Sequence, residues 1–269
     1  MIHIKKLHIT ILILVTLLFF GLVMLIPVDK LLALLSFTKF QIEYFSLFLK
    51  MGFLFIVGFL IIKKNNLDPV VGLSPKYKWT HKILNVTPVY LFIIGIASVI
   101  SKDFSEVVPI NTLTLLIGCL AVGFAEEFIF RGIIQGLLLK KNAHKKNGIV
   151  MSVFFAALIF GLFHLLNLFK NGNATAVIIQ VVYATIIGFF FGVLVLKTNR
   201  IIPLAITHAL INFFFSLQFL PGLNTPQNIS TDETSVAAIL IVLPLLIIGF
   251  INLRKLDKDL ILEKTNASL

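Results

Sequence analysis

Apolar residues run almost unbroken along most of this chain, with short polar interruptions between the runs. Residues 7–26, "LHITILILVTLLFFGLVMLI", hold no Asp, Glu, Lys or Arg. A membrane-spanning helix needs about 20 such residues. Strands of a membrane barrel alternate apolar and polar positions, and these runs do not. Eight helices are predicted, at 7–26, 42–62, 83–101, 112–138, 148–169, 174–196, 201–217 and 235–253. The fold class is an all-α polytopic transmembrane helical bundle of about eight helices, with one membrane domain over 1–269. The first run is long and lacks a small-x-small cleavage site, so it reads as an uncleaved helix rather than a signal peptide. Pro88, Pro203 and Pro244 fall inside or at the start of segments, which membrane helices tolerate.

Composition agrees with this pattern. The chain is 58% hydrophobic and 13% charged, with mean hydropathy +1.03. Soluble domains are about a quarter charged. With eight helices, 17 lysines and arginines fall on one side of the bilayer and four on the other. That bias predicts N- and C-termini in the cytoplasm of a cell-membrane protein. The net charge of +11 is then carried by loop lysines facing anionic lipid. No basic, aromatic-bearing soluble domain exists to bind nucleic acid. The loop "KKNNLDPVVGLSPKYKWTHK" is too short for a domain, and "PGLNTPQNISTDETS" reads as a polar outer loop with an N-x-[ST] match at Asn228. The single cysteine, Cys119, excludes an internal disulfide and reads as a small core residue.

The exceptions to the apolar pattern carry the candidate chemistry. "AEEFIFRG", residues 125–132, places Glu126, Glu127 and Arg131 in the middle of an apolar helix. Each such charge costs about 2.5 kcal/mol or more at a bilayer centre, and function is the default reading. Glu127 and Arg131 are i, i+4 and share a face, so Arg131 can neutralise Glu127. Glu126 is turned by about 100° and is left for acid–base work. "FGLFHLLN" puts His164 one turn after Phe160, with Asn167 three residues on; "THALIN" puts His208 and Asn212 on one face. Helical bundles build sites from facing helices, so Glu126, His164, His208 and Asn212 can converge on one cavity. Taken singly, each has a structural reading: a Glu–Arg pair as glue, a lone histidine as a bonded core residue, Asn212 as a helix contact. Gln135, Gln180 and Tyr183 take that reading, and the histidines at 3, 8, 81 and 144 read as solvated or interfacial. Their coincidence on one four-helix stretch favours a site. Counted along the helices, Glu126 and His208 share a depth. His164 falls about 10 Å nearer the outer end, unless its helix tilts or continues past Lys170.

The ordered set "EEFIFR", "FGLFH" and "HALIN" resembles the motifs of the CPBP family of intramembrane proteases, also called the CAAX protease and bacteriocin-processing or Abi family. The family pattern E-E-x-x-x-R, F-x-x-x-H, H-x-x-x-N is met by Glu126, Glu127 and Arg131, by Phe160 and His164, and by His208 and Asn212. The resemblance covers about 110–217, a catalytic four-helix core. It implies that Glu126, assisted by His164, activates water. His208 and Asn212 would stabilise the oxyanion, with Glu127 and Arg131 structural or positioning. A zinc ion held by Glu126, His164 and His208 is the rival chemistry, although there is no H-E-x-x-H. The resemblance implies a membrane-associated peptide or protein as substrate: a leader peptide, bacteriocin, pheromone or membrane anchor. Two further classes fit the same residues. One is a non-catalytic immunity or regulatory protein that binds a peptide or partner. The other is a transporter, which the absence of an inverted repeat of broken helices disfavours.

Overall fold

The computed structural model describes residues 2–223 and 236–267; the side chains of 2–7, 170, 171 and 267 are left aside. Asn228 lies outside the described residues. The regular elements of those residues are all helices, without strands. In chain order they form α1 (Ile2–Leu25), α2 (Val28–Leu32), α3 (Lys39–Lys64), α4 (Asp68–Val71), a 3-10 turn (Lys82–Val86), α5 (Val89–Ala97) and α6 (Pro109–Glu126). The α6 helix runs on as a π-helix (Glu127–Gln135) and then α7 (Gly136–Asn142). After it come α8 (Gly148–Phe163), a 3-10 turn (His164–Asn167), α9 (Leu168–Asn171), α10 (Ala174–Thr198), α11 (Ile202–Ser216), α12 (Ala237–Arg254) and α13 (Lys258–Ala267).

Seven of these stretches are long and apolar enough to cross a bilayer: 8–32, 39–64, 109–142, 148–167, 174–198, 202–219 and 237–254. They match seven of the eight predicted segments, and the chain is an all-α, multi-pass membrane protein. The eighth, predicted over 83–101, is shorter than expected. It forms the apolar stretch Lys82–Ala97, broken where Pro88 caps α5 and the turn before it tightens to 3-10. Proline has no N–H to continue an upstream helix. The helix predicted to end at 169 stops with Asn171, capped by Gly172 at φ 65°, a left-handed conformation that suits glycine. The outer surface is itself apolar: Leu14, Leu18, Leu22 and Leu25 form an exposed stripe along α1. Such a surface is stable in hydrocarbon and not in water.

The chain divides into two compact units. One comprises 1–61, 88–129 and 202–227, the other 62–87, 130–201 and 228–269. In the first, α11 packs on α5 and α6. A Cβ on Gly95 would meet the Phe214 backbone at 2.8 Å, so that crossing requires glycine. Val99, Leu115, Cys119, Leu220 and Leu223 form a cluster with Phe40 and Tyr44 against it, which makes Cys119 the core residue that its apolar neighbours predict. The Lys50 ammonium donates to Met24 O at 3.2 Å, one of the last α1 carbonyls, which have no partner within their own helix.

In the second unit, α10 packs between α8 and α12. Gln135 reaches from the π-helix to donate to Gly192 O at 2.9 Å, which is the bonded core role its sequence context predicts. Outside the spans, α13 is held by a buried lysine. Lys264 donates to Asn199 Oδ1 and lies 4.9 Å from the Tyr77 ring centre. Burial first, and the Arg200 charge second, push its pKa down to about 8; Glu263 and Asp257 oppose this. The docked lysine therefore binds fewer protons than an undocked one above about pH 8, and docking strengthens as pH rises through that value. At neutral pH the buried charge costs on the order of 3 kcal/mol. Protease cutting of the C-terminal segment is expected to slow from pH 7 to pH 9 in the wild type, and Lys264→Met should flatten that dependence.

Candidate active site

The site in the first unit begins with a contact between backbones. A Cβ on Gly123 would meet Ala209 N at 2.6 Å and Ala205 O at 2.7 Å, so α6 and α11 touch directly there. Small residues allow such approaches between membrane helices. The next residues along each helix then face one another. His208 Nδ1 lies 2.7 Å from Glu127 Oε1, and His208 Nε2 lies 3.6 Å from Glu126 Oε2. The Glu127 side chain is fully buried, while Glu126 keeps 14% of its surface. The two carboxylates thus differ as acid–base groups should: one is fixed, the other accessible. Asn212, one turn along α11 from His208, is half-buried.

This geometry constrains the protons. A carboxylate accepts, so the 2.7 Å contact places hydrogen on Nδ1 and aims Nε2 at Glu126. The 3.6 Å separation is too long for a hydrogen bond. A carboxylate that orients an imidazole through Nδ1 is a recurrent device in hydrolytic sites.

The second unit holds Arg131 and His164. The Arg131 guanidinium is 2% exposed and sits 4.2 Å from the Phe160 ring centre and 5.7 Å from that of Phe191. Its delocalised charge is well placed on aromatic faces. His164 stands where α8 tightens into the 3-10 turn, and its Nδ1 is 3.0 Å from Phe160 O. A carbonyl can only accept, so Nδ1 carries the hydrogen. Asn167 ends the turn and donates to Gln180 Oε1 at 2.9 Å, which ties the histidine's turn to α10.

Glu126, Glu127 and His208 are therefore brought together within one unit, with Asn212 beside them; His164 and Arg131 belong to the other. Among the described residues, no three His, Cys, Asp or Glu side chains are arranged to hold a metal ion. Two features escaped the sequence. The bond from His208 to Glu127 was hidden because i, i+4 spacing gives that carboxylate to Arg131; the small residues Gly123, Ala205 and Ala209 were its signal. The π-helix that begins at Glu127 has no sequence signature, although π segments recur at functional sites.

A polytopic helical membrane protein with a buried Glu–His–Glu cluster is the class that this geometry defines. Residues 108–214 match the family model described as type II CAAX prenyl endopeptidase Rce1-like. Over those residues the chain is similar to this family of CAAX prenyl endopeptidases, and the match takes in Glu126, Glu127, Arg131, His164, His208 and Asn212. No curated protein and no solved structure matches the chain.

Proposed function

We propose that the protein is an intramembrane endopeptidase that hydrolyses a peptide bond of a membrane-associated peptide or protein. The observation that carries this reading is the pairing of an accessible carboxylate, Glu126, with an imidazole whose orientation a second, buried carboxylate fixes. Glu126 takes a proton from water, and the hydroxide attacks the scissile carbonyl. The resemblance to the CAAX-protease motifs assigns His164 the assisting role in activating that water. With both ring nitrogens protonated, His208 donates through Nε2–H to the oxyanion, as does the Asn212 amide, and such donors are worth about 3 kcal/mol each. Glu127 and Arg131 position this apparatus. Glu126 then returns its proton to the leaving amine, so the step balances without another reactant.

The binding-only reading, an immunity or regulatory protein, uses the same residues but needs none of these proton-transfer groups. The lysine bias favours counting the short 82–97 stretch as a crossing, with both termini in the cytoplasm of a cell-membrane protein. The mechanism uses no metal. Purified, reconstituted protein and a fluorogenic lipid-anchored peptide provide the test. His164→Ala should lower turnover at least about a hundredfold while the melting temperature holds, because its visible bond is local to one turn. Chelators should leave the wild-type rate unchanged. Loss of activity that zinc restores would transfer the chemistry to a metal held by Glu126, His164 and His208.

A further inference from the structure

Residues 74–83, "SPKYKWTHKI", contain three lysines, the chain's single tryptophan and no acid. Their main chain is bolted inward at several points. Arg200 Nη1 donates to Tyr77 O at 2.8 Å and Asn199 Nδ2 to Lys78 O at 3.1 Å. Thr80 donates through N to Thr198 O at 3.1 Å and through its hydroxyl to Lys197 O at 2.8 Å. With the backbone and Tyr77 turned in, Lys76, Lys78, Trp79 and Lys82 are exposed. His81, at φ 45°, reverses the chain so that the Lys82 ammonium lies 5.2 Å from the Trp79 ring centre. Lys76 pairs with Glu263 at 2.9 Å. Lys78 and Lys82 have no carboxylate partner among the described residues.

The chain then changes character abruptly. Ile83 is 75% exposed and Val86 53%, and the apolar α5 follows. Two unneutralised ammonium groups, an exposed indole and an exposed aliphatic pair thus occur within nine residues, in the order polar, amphipathic, apolar. That order reproduces the polarity profile of a bilayer from headgroup to acyl chain, and tryptophan prefers its boundary. A soluble acidic partner would use the lysines but has no use for Ile83 and Val86.

We propose that this segment is a docking surface for the headgroup of an anionic phospholipid. Lys78 and Lys82 take the phosphate, Trp79 sits at the glycerol level, and Ile83 and Val86 lie on the acyl chains. The rigid backing means that the surface is displayed ready-made rather than ordered by the lipid.

Because Trp79 is the only tryptophan, its emission reports on this site alone. The full chain is reconstituted in phosphatidylcholine vesicles with equal mole fractions of either dibrominated phosphatidylglycerol or dibrominated phosphatidylcholine. The anionic lipid should quench Trp79 more strongly, and less so as salt is raised. Each lysine removed should lower that preference on the order of fivefold, so Lys78→Gln combined with Lys82→Gln should erase it. Equal quenching of the wild type by the two lipids would overturn the proposal, as would a preference that survives in the double variant. Soluble glycerol phosphate should leave the ratio unchanged; if it abolishes the preference, the ligand is a free phosphate and the lipid assignment fails.

Discussion

Glu126→Gln should lower peptide cleavage by about 10² to 10⁴ with the protein still folded and inserted. That range is what a positioned general base contributes. Glutamine keeps the size of the side chain and its capacity to hold a water beside His208 Nε2, now 3.6 Å from the carboxylate. What it loses is a basic oxygen able to take the proton. Removing a charge from an apolar helix does not impair insertion, since charged residues are the costly ones there. The comparison is therefore one of chemistry rather than of folding, provided membrane levels are matched. It is read as single-turnover cleavage of a reconstituted lipid-anchored peptide, with thermal melting as the control. Cleavage at the wild-type rate would remove the hydrolytic reading and leave a binding protein built on the same residues.

Most of the bundle was legible because the bilayer imposes one rule on every segment. Backbone groups must bond within their own helix, so continuous apolar runs decide the fold with little competition. The rule failed at 83–101, where hydropathy alone extends a helix through Pro88. Local chemistry instead yields a 3-10 turn and the nine-residue α5. The candidate site was legible in its residue types but only partly in its pairings. Helical spacing shows which side chains share a face of one helix, and this gave His208 with Asn212. It cannot show which residue of another helix arrives opposite. That depended on the contact at Gly123, where missing side-chain volume lets α11 reach Glu127. The surface at Trp79 was visible in sequence only as loop charge. Its exposed lysines became a display because the adjoining carbonyls are turned to Arg200 and Asn199.

The bond from His208 to Glu127 leads to the second large effect. Glu127→Gln should lower kcat by about 10² to 10⁴ with KM little changed, although Glu127 is fully buried and the water is assigned to Glu126. Two consequences of the 2.7 Å contact combine. The carboxylate holds hydrogen on Nδ1, and it fixes the ring so that Nε2 faces the reacting groups. An amide offers Nδ1 either a weaker acceptor or, turned over, a donor that forces the wrong tautomer. In Ser–His–Asp hydrolases the corresponding carboxylate-to-amide change costs about 10⁴ in kcat with geometry intact. Glu127→Asp keeps the charge and is one methylene short, so it should recover part of the loss. A merely structural Glu127 predicts a different pattern. In that case Gln, the better match in volume, would outperform Asp, and melting temperature would fall in step with activity. Measuring kcat, KM and melting for the two variants separates these cases, because orientation depends on charge and packing depends on shape.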